Sequence, residues 1–84
     1  MKNKVLVLIF VPSLEVSFEF YIPINKKIGT IKNSIVEFIQ GEFGFSIKNT
    51  GRVLILEKET GTILDENIFV KDSNIQNGTK LLLI

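Results

Sequence analysis

Cysteine and histidine are both absent from this sequence. Their absence excludes thiolate and imidazole metal ligands, the usual nucleophile–base pairs of covalent catalysis and any disulfide framework. An excess of charge of one sign is also lacking, because ten basic residues are spread among nine acidic ones and leave a formal net charge of +1. No face is therefore obviously built to bind phosphate, and we do not expect nucleic acid as a partner. We predict no catalytic residue, no cofactor and no metal site.

What is present describes one globular domain. The chain has 84 residues, of which 45% are hydrophobic and 23% are charged, a composition that favours a packed core over disorder. This length holds a single small core, so we predict one domain over residues 1–84. The apolar run VLVLIFV at residues 5–11 is far too short to cross a bilayer, and we expect no direct membrane insertion.

The only stretch typical of a helix is Ile28–Gln40. Ile28, Ile31, Ile35 and then Phe38 or Ile39 recur at the spacing of three and four residues that lines up one helical face. A single helix with one apolar stripe cannot bury that stripe alone, so a sheet built from the flanking segments must cover it.

The ends of this helix carry weaker signals. Gly41 follows at the position where a left-handed residue is usually found. Asn25 is the best N-cap candidate, but Lys26 and Lys27 would then lie unfavourably in the positive first turn. The helix could therefore begin two residues later than an Asn25 cap would indicate.

The remaining segments are typical of strands. Residues 5–11 also resemble the core of a signal peptide, but the run is minimal in length and no Ala-x-Ala-type site follows, so we interpret it as a strand. From Glu15 to Ile22 apolar and polar residues alternate, which predicts a half-buried strand joined to the first through Pro12-Ser13-Leu14. The other predicted strands are Val53–Lys58, Thr62–Leu64 and Thr79–Ile84, with turns at Glu59-Thr60-Gly61 and Asn77-Gly78 and a loop at Glu42–Gly51 anchored by Phe43, Phe45 or Ile47.

This order, ββαβββ, predicts an α+β fold in which a mixed sheet wraps around one helix, and it resembles the β-grasp of ubiquitin-like proteins. The segment Asp72-Ser73-Asn74-Ile75-Gln76 resembles the Asp-Tyr-Asn-Ile-Gln of ubiquitin. Upstream, Ile22-Pro23 and the helix isoleucines match in spacing. The residues that fall where ubiquitin has core leucines and isoleucine are Leu64, Val70, Ile75, Leu81 and Leu83.

Among bacterial ubiquitin-like proteins the chain is most similar to the YukD/EsaB family, which are small accessory proteins of type VII secretion. The similarity is carried by YIPINKKIGTIKNSI and by the closing Asn-Gly-x-x-Leu-x-x. It implies a non-enzymatic interaction module in the cytoplasm that is recruited to a membrane secretion complex. A likeness of packing pattern nevertheless indicates fold more than activity.

Two other functions stay open. Ubiquitin and the sulfur carriers act through a flexible tail that ends in Gly-Gly, whereas this sequence ends at Ile84 inside a predicted strand. We therefore expect neither conjugation nor sulfur transfer, unless such a tail follows. The second alternative is a small β-grasp subunit that docks on the catalytic partner of a multicomponent enzyme.

Several polar motifs have ordinary explanations. Glu57 and Glu59, with Asp65-Glu66 nearby, could form a hard-cation site, but acids at a hairpin tip are more often solvated turn residues. Lys26, Lys27 and Lys32 could form a basic patch, although neighbouring acids favour a role in solubility. Asn77-Gly78-Thr79 matches a glycosylation sequon, which often arises by chance. Alternating Phe18 and Phe20 indicate a core face rather than a base-stacking platform.

One surface is unusual for a sheet. The face turned away from the helix should be polar, yet the first, third and last strands are apolar on both sides. A short hairpin predicts Leu6, Leu8 and Phe10 inward and Val5, Val7, Ile9 and Val11 outward, and a shift of one residue would exchange the two sets. Ubiquitin binds partners through this face, which implies roles for Leu54, Leu82 and Ile84. The predicted interaction surface, for a protein partner or a second copy, is Val5, Val7, Ile9, Leu54, Leu56, Leu82 and Ile84; shielding by lysine stems is the alternative.

Overall fold

The structure, a computed structural model, describes residues 3–44, 46 and 50–84. Its sheet has the strand order β2-β1-β4-β3, in which β1 pairs antiparallel with β2 and parallel with β4, and β3 pairs antiparallel with β4. One helix packs on this mixed sheet, which confirms the predicted α+β architecture. The elements are β1 (Lys4–Val11), β2 (Val16–Pro23), α1 (Ile28–Phe43), β3 (Ile55–Glu57) and β4 (Thr79–Leu83), with single 3-10 turns at Pro12–Leu14, Thr50–Arg52 and Val70–Asp72.

The connection between β1 and β2 sets the register of the sheet. After the turn Pro12–Leu14, Glu15 adopts a left-handed conformation (φ 54°) and its N–H donates to the Pro12 carbonyl oxygen at 3.1 Å. Glu15 therefore belongs to the loop and not to the strand as predicted, and Val11 pairs with Val16. The loop is one residue longer than the Pro12-Ser13-Leu14 turn expected from the sequence.

One extra loop residue exchanges the two faces of β1, because strand side chains alternate with a period of two. Val7 and Ile9 are both 0% exposed and lie in the core, as does Val11, while Val5 packs against the core from one end. The prediction that Val5, Val7, Ile9 and Val11 face outward is therefore wrong. The outward-facing residues of β1 are Leu6, Leu8 and Phe10.

The predicted helical face is confirmed. Ile28, Ile31, Ile35 and Ile39 are all buried against the sheet, whereas Phe38 is partly exposed. Burying each such isoleucine contributes about 1.5–3 kcal/mol to folding relative to leaving it in water. The core that this face completes consists of Val7, Ile9, Val11, Ile22, Ile28, Ile31, Ile35, Val36, Ile39, Ile55, Val70, Leu81 and Leu83.

Both ends of the helix differ from the sequence signals. It begins after Lys27, and backbone carbonyl groups rather than the Asn25 side chain accept its first N–H groups: Ile28 N–H donates to Ile68 O at 2.9 Å and Gly29 N–H to Glu66 O at 3.0 Å. At the other end the helix continues through Gly41 to Phe43. Gly44, with φ 69°, supplies the left-handed residue instead. Of the predicted loop anchors, Phe43 is therefore helical, and Phe45 and Ile47 lie outside the described residues.

The second hairpin is present but short. Glu57 N–H donates to Thr62 O at 2.9 Å and Leu64 N–H to Ile55 O at 3.0 Å, yet residues 62–64 form only an isolated bridge between Leu56 and Ile63. The predicted strand Thr62–Leu64 is thus reduced to one pairing. In contrast, β4 starts where expected, directly after Asn77-Gly78, where Gly78 has φ 88°.

Candidate protein-interaction surface

The sheet face opposite α1 carries a continuous apolar row. Phe10 on β1 lies beside Leu82 on β4, and Leu82 lies beside Leu56 on β3, so all three side chains share one face. Leu54 and Ile84 extend the row, because each donates its N–H to the carbonyl oxygen of the other, at 2.8 and 2.9 Å. Of these residues Ile84 is 53% exposed. We call this surface the outer apolar face: Leu6, Leu8, Phe10, Leu54, Leu56, Leu82 and Ile84.

This face keeps four predicted residues and replaces three. Leu54, Leu56, Leu82 and Ile84 stand on it as the alternation of β3 and β4 predicted, since their neighbours Ile55, Leu81 and Leu83 are buried. From β1 the face contains Leu6, Leu8 and Phe10 instead of Val5, Val7 and Ile9, because the loop between β1 and β2 is one residue longer than predicted. The signal that sequence reasoning missed is Glu15, whose place in the loop decides which β1 residues face outward.

Two lysines adjoin the outer apolar face. The Nζ atom of Lys58 lies 5.4 Å from the ring centre of Phe10, and Lys80 is the neighbour of Leu8 across the β1–β4 pair. These four residues line a shallow hollow of about 100 Å³. The Lys58 ammonium group thus lies over the Phe10 ring in a cation–π arrangement. Ile84 lies at the other end of the row.

The predicted basic patch is divided by the fold. Lys26 and Lys27 are exposed, but Lys32 is only 3% exposed and faces the interior. Its Nζ donates to Glu66 Oε2 at 2.9 Å and to Val53 O at 3.0 Å. Lys32 therefore joins α1 to two other segments and takes no part in a surface patch, contrary to the grouping of the three lysines.

The acidic residues of the candidate cation site do not act as one group. Glu66 is the ion-pair partner of Lys32, which takes it out of the group formed with Glu57, Glu59 and Asp65. Over the described ranges 3–44, 46 and 50–84, no group of three or more acidic side chains is placed to hold a metal ion. The structure gives the hard-cation interpretation no support.

The inward aromatic residues of β2 form a cluster that the sequence did not predict. Phe18 and Phe20 pack against the core as expected, and their rings also meet two rings from α1. The ring centres of Phe18 and Phe38 are 5.4 Å apart, those of Phe20 and Phe38 5.2 Å and those of Phe18 and Phe43 6.2 Å, all in edge-to-face geometry. Such pairs add about 0.5–1.5 kcal/mol beyond the area that they bury.

No protein-family model matches the sequence, and neither does any curated protein. Solved structures do match the fold. The EccD5 ubiquitin-like domain from Mycobacterium xenopi superimposes with a TM-score of 0.75 at 16% identity, over 98% of this chain and 93% of that chain. The ubiquitin of Caldiarchaeum subterraneum gives 0.72 at 13% identity, over 96% and 91%. The chain has the ubiquitin-like β-grasp fold.

A ubiquitin-like fold of this kind is also found inside a larger assembly. A chain of the MycP5-free ESX-5 inner membrane complex matches with a TM-score of 0.77 at 15% identity, over 98% of this chain but only 21% of that chain. The present ubiquitin-like chain thus spans about a fifth of that protein. At these identities the likeness defines the fold alone. Neither α1 nor any other helix among the described residues is long and apolar enough to cross a membrane.

Proposed function

We propose that this chain is a non-enzymatic protein-interaction module of a bacterial type VII secretion apparatus, and that it binds its protein partner through the outer apolar face. The observation that carries the proposal is the row Phe10–Leu82–Leu56, which runs apolar across three adjacent strands. A sheet face that only meets water is normally polar at such positions. Contiguous apolar patches of several hundred Å² on soluble proteins mark interaction sites.

The composition of the face indicates what kind of partner fits it. The face offers leucine, isoleucine and phenylalanine side chains, and Lys58 and Lys80 lie beside Phe10 and Leu8. An apolar surface that ends in a carboxylate near these two lysines would match both features. In such an interface the buried apolar anchors contribute most of the affinity, and charges at the rim govern the association rate and specificity.

Two likenesses support the secretion context. Ubiquitin-like folds matching this chain occur as the EccD5 domain and within the ESX-5 inner membrane complex, and ESX-5 is a type VII secretion system. The sequence independently resembles small accessory proteins of type VII secretion. We infer a cytoplasmic module that is recruited to the membrane complex by contact with another protein.

Affinity capture from the native host tests this proposal. The wild-type chain is expected to retain components of the secretion apparatus, and Leu82→Glu is expected to lose them because it places an unpaired carboxylate in the centre of the interface. Phe69→Glu is the matched control, since it makes the same change of a partly exposed apolar residue that lies beside the start of α1, away from the outer apolar face. Circular dichroism establishes that both variants are folded.

The outcomes separate the two parts of the proposal. If Leu82→Glu captures the same components as the wild type, the outer apolar face is not the interface. If the captured proteins depend on Leu82 but include no secretion component, the face binds a partner and the type VII assignment is wrong.

A further inference from the structure

A second surface of the molecule, independent of the outer apolar face, is the free edge of β2. The strand order places β2 at one margin of the sheet, with β1 as its neighbour on one side. Ile24 N–H donates to Asn3 O at 3.0 Å, which fixes the alternation of hydrogen bonds between the two strands. Because hydrogen-bonded and non-hydrogen-bonded pairs alternate in an antiparallel ladder, Phe18 and Phe20 bond to β1, and the residues that alternate with them along β2 point their backbone groups away.

The residues whose N–H and C=O groups point away from β1 are Ser17, Glu19 and Tyr21. Pro23 lies at the next position of this kind along β2. Since the backbone nitrogen there points away from β1, the N–H that proline lacks would not have bonded to β1. Pro23 also marks the end of the usable edge. Among the described residues no backbone bond is made to these three outward positions from outside β2. An edge of this kind is a template for another strand unless lysines, prolines or bulges block it.

An aromatic shelf lies beside this edge on the helix side. It is formed by the four clustered rings, and the two from α1 are well exposed: Phe38 by 40% and Phe43 by 44%. Phe38 stands against both Phe18 and Phe20, the residues of β2 whose side chains face the helix. A strand added to β2 would therefore place every second side chain over exposed phenylalanine rings.

The charged side chains of β2 and of α1 beyond Lys32 are all acidic, whereas Lys58 and Lys80 lie on the outer sheet face and line the same hollow as Ser17. Residues 5–25 and 33–44, which include β2 and all of α1 beyond its second turn, contain no lysine or arginine. Their charged residues are Glu15, Glu19, Glu37 and Glu42, all of them exposed. Glu19 lies within the free edge itself, with its side chain on the outer sheet face. Basic residues placed opposite Glu19 would therefore strengthen the binding of a segment that pairs with this edge.

From these observations we propose that β2 and the aromatic shelf bind an extended basic peptide segment of another protein, which adds to the sheet as a strand beside Ser17–Tyr21. Its apolar side chains lie over Phe38 and Phe20, and its basic side chains alternate with them and face Glu19 on the other side of the sheet. The pattern is one of alternating apolar and basic residues over about five positions, the length of the open edge.

Fluorescence polarisation with a labelled peptide of alternating lysine and valine, Lys-Val-Lys-Val-Lys-Val-Lys, tests the proposal on the whole chain. Saturable binding is expected. The same peptide with N-methyl groups on the residues that face β2 is expected to bind about tenfold more weakly or worse, because it keeps charge and apolar surface but cannot form the ladder. A glutamate–valine counterpart is expected not to bind.

Variants of the protein locate the site. Glu19→Pro removes an outward N–H at a position equivalent to Pro23, so the β1–β2 ladder stays intact and the affinity is expected to fall by about tenfold. Glu19→Ala removes only the charge and is expected to weaken binding less. Phe38→Ala is expected to weaken binding, whereas Leu82→Glu on the outer apolar face is expected to bind the peptide as the wild type does.

Three results would overturn the proposal. Equal affinity for the N-methylated peptide would show that no strand is added. Amide chemical-shift changes confined to the outer apolar face, with Ser17, Glu19 and Tyr21 unmoved, would place the peptide elsewhere. Self-association of the wild type in sedimentation that Glu19→Pro abolishes would assign the edge to a second copy of the chain.

Discussion

The Nζ atom of Lys32 lies 2.9 Å from Oε2 of Glu66, and this ion pair joins the second turn of α1 to the segment that precedes the Val70–Asp72 turn. Lys32 also donates to Val53 O at 3.0 Å, just before β3. One buried ammonium group thus holds three segments that are distant in sequence. A lysine in this position needs its partners, because an uncompensated charge in the interior is strongly destabilising.

Removal of the Glu66 carboxylate is expected to lower the free energy of unfolding by about 1–3 kcal/mol, less than for a fully buried pair because Glu66 is 37% exposed. Lys32→Met, which keeps the volume but removes the charge, is expected to be destabilising alone. The double variant Lys32→Met/Glu66→Ala is expected to lose at least about 1 kcal/mol less unfolding free energy than the sum of the losses in the two single variants. Urea unfolding of the four proteins measures this coupling, and strictly additive losses would contradict the ion pair.

The glycines of α1 offer a matched comparison. A Cβ at Gly29 would lie 3.2 Å from the Cβ and the carbonyl oxygen of Glu66, whereas one at Gly41 would meet nothing within 4 Å. Gly41→Ala is therefore expected to stabilise the protein by about 0.5–1 kcal/mol, the gain in helix propensity. Gly29→Ala is expected to destabilise it by about 1 kcal/mol, because crowding outweighs that gain. Thermal unfolding that moves in the same direction for both would contradict this close approach.

The register of β1 predicts opposite effects at adjacent positions. Ile9→Glu buries a carboxylate among core side chains and is expected to cost several kcal/mol, enough to unfold a domain of this size. Leu8→Glu changes a side chain that is 36% exposed on the outer sheet face and is expected to alter stability by about 1 kcal/mol or less. Circular dichroism of the two variants decides between them, and a folded Ile9→Glu protein would restore the register first predicted from the sequence.

The left-handed backbone of Glu15 predicts a gain in stability on substitution. Glycine adopts φ 54° without the steric cost that a Cβ imposes, so Glu15→Gly is expected to stabilise the protein by about 0.5–1 kcal/mol after its larger unfolded-state entropy is counted. Glu15→Val places a β-branched residue there and is expected to be destabilising. Chemical denaturation of both variants tests the prediction; a stable valine variant would indicate a different turn.

The sequence predicted those parts of the fold in which the hydrophobic pattern is unambiguous. The isoleucine spacing of α1 allows one orientation, and the inward placement of Leu81 and Leu83 followed from the resemblance to ubiquitin. The run at residues 5–11 has no polar residue to mark its outer face, so its orientation depends on the length of one loop and was predicted wrongly. A single residue, Glu15, makes that difference.

Other features depend on contacts between distant segments and leave no local signal. Lys32 has the sequence neighbourhood of an exposed lysine, and only its pairing with Glu66, 34 residues away, explains its burial. Phe38 belongs to an aromatic cluster because α1 packs alongside β2, which a helical wheel does not reveal. Helix capping by backbone groups of residues 66 and 68 likewise escapes any motif search based on side chains.

The parallel pairing of β1 with β4 affects how the chain folds as it is synthesised. Val7 lies beside Thr79, so β1, an inner strand of the sheet, lacks one of its two neighbours until residue 79 has left the ribosome. Until then the β1–β2 hairpin has no β4 beside it, and apolar residues on both faces of β1 stay exposed. Long-range pairing of this kind slows folding and leaves unpaired edges exposed in the meantime. In the nascent chain, β1 therefore exposes an unpaired apolar edge until β4 pairs with it.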